Sequence, residues 1–458
     1  MKRNLIEHLH TVAPSEKRNA LEALYDHCCD DRVLEAAAEL LTDPDRGVRE
    51  AASHILVLCS SEKAASLTAV YISSGNIVVR NLAGDTLVRM GKPATRALLP
   101  YLDSADKDIR KFAVDLIALL PSTTAAVSKV AGHLDDPDPN VVCASIDALG
   151  SMHAEQYLQR ILTLFDKLDY AKPNIVNTAA MFHNEASLQF FVEALSDEDP
   201  VVQLAAAEAL STRRDGVLLK VLLAKLETVS DLAKPVVLHS IVVLLESTDH
   251  SVEIPRSLRQ HLLAMLDDSD PTYIRAAVRG LRHFIDDDVL AALVSHAGKS
   301  ESVDNAILSV LRDYPENAIP VALAYSRSSG EVVRPAILII SLIQNMPGKD
   351  TSGVSTDVLD EAASFIADNF TSLDAEAKIT ALGVRGVFVA SSAVKLIRAG
   401  LRDPESAVKS LALDLAARTG PQFFGYELQI LKGDYDEEIR LAATALVLQM
   451  KPGFQDQD

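Results

Sequence analysis

The feature that most constrains the fold is a turn pattern that recurs along the whole chain. Residues Asp43 to Ala52 read DPDRGVREAA, an acidic turn with a proline that is followed by small and apolar residues. Proline cannot continue the interior of a helix, and aspartate is a favoured N-cap residue. The pattern therefore predicts the end of one helix, a tight turn and the start of a second helix. Two close copies stand at residues 196–210, SDEDPVVQLAAAEAL, and 267–281, DDSDPTYIRAAVRGL.

This turn pattern repeats with a period close to 31 residues. With Arg49 as the reference position, the sequence contains 14 candidate repeats, whose first steps are 31, 31, 30 and 32 residues. The reference residues are Arg18, Arg49, Arg80, Arg110, Val142, Asn177, Gln203, Val237, Arg275, Asp304, Arg334, Lys378, Lys409 and Arg440. A period of this length is typical of a helix pair in a repeat protein.

The second helix of each pair carries an apolar stripe. In the pair at Asp43 the stripe is predicted to contain Val48, Ala51, Ala52, Ile55 and Leu58, which recur at helical spacing. Two short helices cannot bury such a stripe alone, so each pair must stack on neighbours of the same kind. The sequence therefore predicts an all-α fold, a solenoid of about 14 helix pairs.

The motif D-P-D-x-x-V-R-x-A-A at Asp43 to Ala52 resembles the HEAT repeat. It is most similar to the short bacterial kind named after phycobilisome (PBS) lyase subunits. The resemblance extends over nearly the whole chain and implies a right-handed, armadillo-like α-α superhelix whose second helices line a concave face. Such repeats serve many unrelated roles, so the resemblance implies a fold more than an activity.

Two functions are consistent with these observations. The leading interpretation is a non-catalytic scaffold or adaptor that binds a partner on the concave surface, because the sequence lacks HExxH, GxSxG and the phosphate-binding Gly-Lys-Ser/Thr pattern. The alternative is a phycobilin-lyase-type enzyme subunit that handles a tetrapyrrole on a protein partner. No histidine is followed by glutamate, which argues against the iron-binding deoxyhypusine hydroxylases built from HEAT repeats. We expect no catalytic residues, no cofactor and no metal.

Composition narrows the choice of partner. The chain has 44 Lys and Arg against 64 Asp and Glu, a formal charge of −20, and no Trp. Such a charge opposes binding to a phosphate backbone and favours a protein or peptide, in particular a basic one. The sequence shows no signal peptide and no apolar run of the roughly 20 residues that a membrane span needs, so we expect a cytoplasmic protein without membrane contact. The four cysteines suit a reducing compartment: Cys28, Cys29, Cys59 and Cys143.

Irregular steps between the reference residues suggest how the chain is divided. Met346 to Ser355 reads MPGKDTSGVS and falls within the longest step, 44 residues. We therefore predict an N-terminal repeat array over 1–345, a loop over 346–356, C-terminal repeats over 357–451 and a tail over 452–458. A second irregularity, steps of 35 and then 26 residues, surrounds the aromatic pair Phe190-Phe191 and favours a bend or a contact at the rim.

An acidic residue in the turn and a basic residue six positions later form the first candidate group. The pairs are Asp43 with Arg49, Asp403 with Lys409, and Asp434 with Arg440. We predict a structural ladder, in which each turn carboxylate meets the basic group of its own or the next repeat. Asp136 and Asp197 keep the acid but have no basic residue at that spacing.

The second candidate group lies five residues after the reference position. Asp85, Asp115, Asp147 and Glu208 occupy it, and we name these four residues the acidic column. The same position holds His54, Phe182 and Asp414 elsewhere. The column is open to two interpretations: a solvated helix face supported by pairs such as Lys111 with Asp115, or a stripe that binds a partner.

Overall fold

A computed structural model describes residues 13–182, 184–213, 216–247, 254–298, 300–346, 353–388 and 390–450. All regular secondary structure in these ranges is helical. The helices are α1 Pro14–Glu22, α2 Asp31–Glu39, α3 Arg46–Cys59, α4 Glu62–Ala69, α5 Ile77–Met90, α6 Lys92–Leu98, α7 Lys107–Ala118, α8 Thr124–Gly132, α9 Pro139–Ser151, α10 Leu158–Leu162, α11 Lys172–Ala180, α12 Glu185–Ala194, α13 Pro200–Ser211, α14 Val217–Lys225, α15 Lys234–Ser247, α16 Ser257–Met265, α17 Pro271–Leu281, α18 Asp287–His296, α19 Glu301–Leu311, α20 Pro315–Ser329, α21 Val333–Gln344, α22 Thr356–Asp368, α23 Ala375–Gly383, α24 Ala390–Leu401, α25 Ser406–Thr419, α26 Gly425–Leu431 and α27 Glu437–Gln449. Short 3₁₀ helices lie at Tyr25–His27, Leu40–Thr42, Val70–Ser73, Leu99–Asp103, His133–Asp135, Glu155–Tyr157, Asp169–Ala171, Arg282–Phe284, Phe370–Ser372, Val384–Val387 and Pro421–Phe424.

The recurring turn works as its residues predict. After α2 the chain makes the 3₁₀ turn Leu40–Thr42, and Asp45 then caps α3 by accepting a hydrogen bond from the backbone N–H of Val48 at 3.0 Å. An Asp or Asn side chain caps many of the other second helices in the same way. These caps are Asn76, Asp106, Asp138, Asp199, Asp270, Asp374 and Asp436.

The predicted all-α superhelical repeat fold is confirmed. After α1, the described helices form 13 consecutive pairs, and each of the 14 reference residues lies in α1 or in the second helix of a pair. At Asn177 and Asp304, where the sequence departs from the pattern, the apolar residues around the reference position gave the correct phase. No described helix is long and apolar enough to cross a membrane.

Contacts divide the chain into two compact units, one of residues 1–213 with 225–234, the other of residues 214–224 with 235–458. Within the first unit the second helices α3, α5, α7, α9, α11 and α13 pack on one another in order, while the first helices α2, α4 and α6 form a separate layer. Within the second unit α17, α19, α21, α23, α25 and α27 form the same kind of layer. Each unit is thus a two-layered stack of helix pairs.

The apolar stripe of α3 shows how a unit is held together. Val48, Ala52, Ile55 and Leu56 are completely buried, whereas Leu58 is 48% exposed. Ala51 is only half-buried. The observed stripe is therefore rotated slightly around α3 relative to the predicted one. Its residues follow the spacing i, i+4, i+7 and i+8, which places Leu56 rather than Leu58 inside.

Second helices approach one another closely at glycine positions such as Gly84. A Cβ atom on Gly84 of α5 would lie 2.8 Å from Cζ of Phe112 in α7, so a larger residue would require the Phe112 ring to move. Buried alanines serve the same purpose along the stack. This packing suits the low aromatic content of the chain.

The predicted loop at 346–356 falls inside the second unit. Most of it lies outside the described residues, although Met346 and Val354 at its two ends are buried. Helices before and after the loop pack on one another, α20 on α22 and α21 on α23. The division into two arrays at this loop, and the tail at 452–458, stay predictions.

Candidate partner-binding surface

Ion pairs join a helix of one repeat to the turn of the next repeat in each unit. In the first unit Lys17 pairs with Asp43 at 2.7 Å, Arg110 with Asp136 at 2.8 Å and Lys172 with Asp197 at 2.9 Å. In the second unit Lys378 pairs with Asp403 at 2.9 Å and Lys409 with Asp434 at 2.5 Å. We call each such pair a rung. In each rung the basic residue belongs to one repeat, and the carboxylate belongs to the turn of the next.

The arginines at the reference position have a different partner within their own repeat. Nη1 of Arg49 donates to the carbonyl oxygens of Asp43 at 2.8 Å and Pro44 at 2.9 Å, and not to the Asp43 carboxylate. Arg440 binds the carbonyls of Asp434 and Tyr435 in the same way, both at 2.8 Å. Each guanidinium therefore ties the turn to the helix that follows it.

Two rungs lie where the sequence pattern shows no basic partner. Asp136 and Asp197 lack a basic residue six positions later, yet Arg110 and Lys172 of the preceding repeats bind them. Lys172 does not follow the six-residue pattern, because the reference position of its repeat is Asn177, five residues further along α11. The distance of 25 to 26 residues between the members of each rung is the signal that could have found it.

The rung between Arg110 and Asp136 is well buried, and its carboxylate is strongly acidic. The side chains of Arg110 and Asp136 are 12% and 3% exposed. Burial raises the pKa of Asp136, but hydrogen bonds from Arg110, the backbone of Asp138 and His133 outweigh it and lower the pKa to about 2. The folded state therefore favours the charged carboxylate, whose ordinary pKa is near 3.8.

This rung should make stability depend on pH in acid. Because the folded pKa of Asp136 is lowered, its contribution is complete above the unfolded value and is lost as the pH falls from about 4 to 2, a loss of about 2 kcal/mol. Lowering the pH from 5 to 2 should therefore reduce the free energy of unfolding less in Asp136→Asn than in the wild type. Urea unfolding at each pH measures this free energy. Asp103→Asn, which removes an exposed partner of Lys129, is the control and should follow the wild type. Parallel pH dependence in Asp136→Asn and the wild type would contradict the assignment.

The acidic column lies on the exposed side of the second-helix layer of the first unit. Asp85, Asp115 and Asp147 belong to α5, α7 and α9, which pack in that order, and Glu208 belongs to α13. The side chain of Asp85 is 64% exposed and lies 3.9 Å from Arg89, while that of Asp115 is 43% exposed and lies 2.8 Å from Lys111. The column is thus accessible, and its role in binding stays a prediction.

Asp147 shows that the column is not fully neutralised. Its carboxylate accepts hydrogen bonds from Nδ2 of Asn174 at 2.8 and 3.0 Å, a neutral partner. Burial raises the pKa of Asp147, the Asn174 contact lowers it, the negative charge of Asp115 raises it and the positive charge of Lys111 lowers it. Lys111, which pairs with Asp115, thus offsets part of the repulsion between the two carboxylates, and a further cation would relieve more of it.

The column does not continue through every repeat. His54 packs edge-on against Tyr25, with ring centroids 5.0 Å apart, and Phe182 is buried. The cysteines form no disulfide, and Cys59 and Cys143 are half-buried rather than fully enclosed. Within the described ranges, no three His, Cys, Asp or Glu side chains are placed to hold a metal ion.

Comparison with known proteins supports the repeat assignment. A family model of HEAT repeats matches residues 95–172, which run from α6 into α11. Over these residues the chain is similar to HEAT repeats. A comparison with curated protein sequences found no match. The finer resemblance of these HEAT repeats to the phycobilisome lyase kind stays a prediction.

Solved structures share the fold at low sequence identity. Kap121p bound to RanGTP is 13% identical with a TM-score of 0.52, and the alignment covers 97% of this chain and 56% of Kap121p. Importin beta, crystallised in an ammonium sulfate condition, is 12% identical with a TM-score of 0.47, and the alignment covers 98% of this chain and 79% of importin beta. The chain thus spans little more than half the length of Kap121p. The likeness to Kap121p shows a shared α-helical solenoid fold.

Proposed function

We propose that this chain is a non-catalytic scaffold or adaptor that binds a protein or peptide along the exposed face of its second helices. The observation that carries the proposal is the acidic column, whose four side chains are exposed while, among the described residues, Arg89 and Lys111 pair with only Asp85 and Asp115. The column therefore keeps an excess of negative charge. A basic partner would bring the cations that offset it.

Two further observations support a protein partner. Stacked helix pairs present an extended surface rather than an enclosed pocket, and repeat proteins use such surfaces for recognition. Kap121p, which shares the fold, is described in complex with RanGTP, a protein. We propose that the partner binds on the concave side of the solenoid. We also propose a cytoplasmic location, which four cysteines without disulfides support.

Reversing the charge of the column should weaken binding. We expect Asp85→Lys combined with Asp115→Lys to reduce affinity for the native partner at least about tenfold, because two attractive contacts become repulsive. The partner is first isolated on the immobilised chain at low and moderate salt and identified by mass spectrometry. Affinities are then measured with purified proteins at both salt concentrations, since screening should reduce the wild-type affinity.

The matched control is Asp103→Lys combined with Asp135→Lys. These residues lie on 3₁₀ turns that follow first helices, and each takes part in one exposed ion pair, with Lys129 and Arg160. The control changes net charge equally and should bind the partner nearly as well as the wild type. Equal losses in the two variants, or none in either, would reject the column as the binding site. A coloured tetrapyrrole retained by the purified chain would favour the lyase-type alternative instead.

A further inference from the structure

A cleft of about 570 Å³ opens on the first-helix side of the first unit, where the repeat period changes. Helix α10 is only five residues long, Leu158–Leu162, and the chain then turns before the 3₁₀ helix Asp169–Ala171. This turn and helix α12 form the two walls. The side chains that matter here are Leu162, Phe165, Asp166, Gln189, Phe190 and Glu193.

The cleft contains an accessible aromatic pair. Phe165 and Phe190 meet edge to face with ring centroids 5.0 Å apart, and both are half-buried. Phe191 is completely buried and packs against Phe190, with the two ring centroids 5.7 Å apart. In a chain whose aromatic content is 5%, two adjacent rings left open to a cleft are an unusual use of apolar surface.

One of these rings already accommodates a cation. Nζ of Lys172 lies 5.3 Å from the centroid of Phe165, within the range of a cation–π interaction. Lys172 is committed to the rung with Asp197 and also contacts Asp169. It is therefore part of the wall, and the cleft remains open beside it.

Two carboxylates at the cleft have no cationic partner. Asp166 and Glu193 are exposed, and among the described residues no Lys, Arg or His nitrogen lies within 4.0 Å of either. Among the described side chains, Glu193 accepts a hydrogen bond only from the neutral amide of Gln189, at 3.1 Å. The cleft therefore combines apolar ring surface with negative charge.

We propose that this cleft is a second docking site, which takes an arginine side chain of a protein partner. The methylene groups would lie on Leu162 and the two phenylalanine rings, and the guanidinium would meet Asp166 and Glu193. Arginine fits better than lysine because its planar group stacks on aromatic rings and donates to two carboxylates at once. An acidic or purely apolar side chain would leave the carboxylates repelled or without a partner. The site lies in a different layer from the acidic column and does not depend on it.

The test uses a defined probe and a local signal. The full chain is labelled with ¹³C on leucine methyl groups, and the Leu162 resonance is followed by NMR during titration with the blocked tripeptide acetyl-Gly-Arg-Gly-amide. Citrulline and lysine versions of the tripeptide are titrated in parallel. We expect a saturable shift at Leu162 with arginine, and binding weaker by about fivefold with citrulline, which lacks the charge.

The double variant Asp166→Asn with Glu193→Gln should bind the arginine tripeptide about fivefold more weakly than the wild type does. Asp103→Asn with Asp135→Asn removes the same charge from other turns of this layer and should leave binding unchanged. Overturning results are the absence of a saturable shift at Leu162, equal affinity for arginine and citrulline, or equal losses in both variants. Lysine binding as tightly as arginine would overturn the choice of a guanidinium. Thermal unfolding of each variant confirms that it is folded.

Discussion

Ala52→Asp is expected to destabilise the first unit by about 4 kcal/mol or more, because it places a carboxylate where no water and no partner can reach it. Ala52 is completely buried in α3, a helix that packs against α1, α2 and α5. A helical array does not unfold as one two-state unit, so the local readout is hydrogen exchange of the α3 amides. Urea unfolding followed by circular dichroism gives the global loss.

The neighbouring substitution Ala51→Asp is the matched control. Ala51 is half-buried, so a carboxylate there can reach water, and we expect a loss of about 1 kcal/mol. The two substitutions differ only in which way the side chain faces. Equal losses would mean that the core-facing side of α3 is misplaced by one residue.

Lys378→Met is expected to destabilise the second unit by about 3–5 kcal/mol. The side chains of Lys378 and Asp403 are 5% and 0% exposed, and Nζ of Lys378 lies 2.9 Å from Oδ2 of Asp403. Removing the lysine leaves a charged carboxylate buried without a counter-ion. Urea unfolding and exchange of the α23 amides would measure the loss.

Two further variants separate the buried charge from the loss of packing. Asp403→Asn in the Lys378→Met background removes the unpaired charge and should recover much of the loss, since an Asn oxygen can still accept from the backbone N–H of Glu405. Lys63→Met breaks exposed pairs with Asp31 and Glu35 and should cost at most about 1 kcal/mol. If Lys378→Met costs no more than Lys63→Met, the rung contributes little to stability.

The helix pairs could be predicted because their signals are local. Asp43, Pro44 and Asp45 break one helix and cap the next within a few residues. At Asn177, where the period is irregular, the surrounding apolar residues were enough to place the residue in a second helix.

The partners of the rungs could not be predicted from the same signals. Whether Asp43 meets Arg49 of its own repeat or Lys17 of the preceding one depends on how adjacent pairs rotate against each other. The rotation angle between adjacent pairs cannot be inferred from the repeat period. The aromatics near Phe190 were noticed in the sequence, but their approach to Phe165 and two unpaired carboxylates depends on the shortened helix α10.

The rungs bear on how such a chain can lengthen during evolution. Each one links a basic residue to the turn that comes 25 to 26 residues later, so one period contains both the donor for the following repeat and the acceptor for the preceding one. A tandem duplication of about 31 residues would therefore add a repeat that can form the ion pairs to both of its neighbours. Gene duplication could add repeats between Lys378 and Arg440 without first leaving a buried charge unmatched, whereas insertions that break the period would not share this advantage.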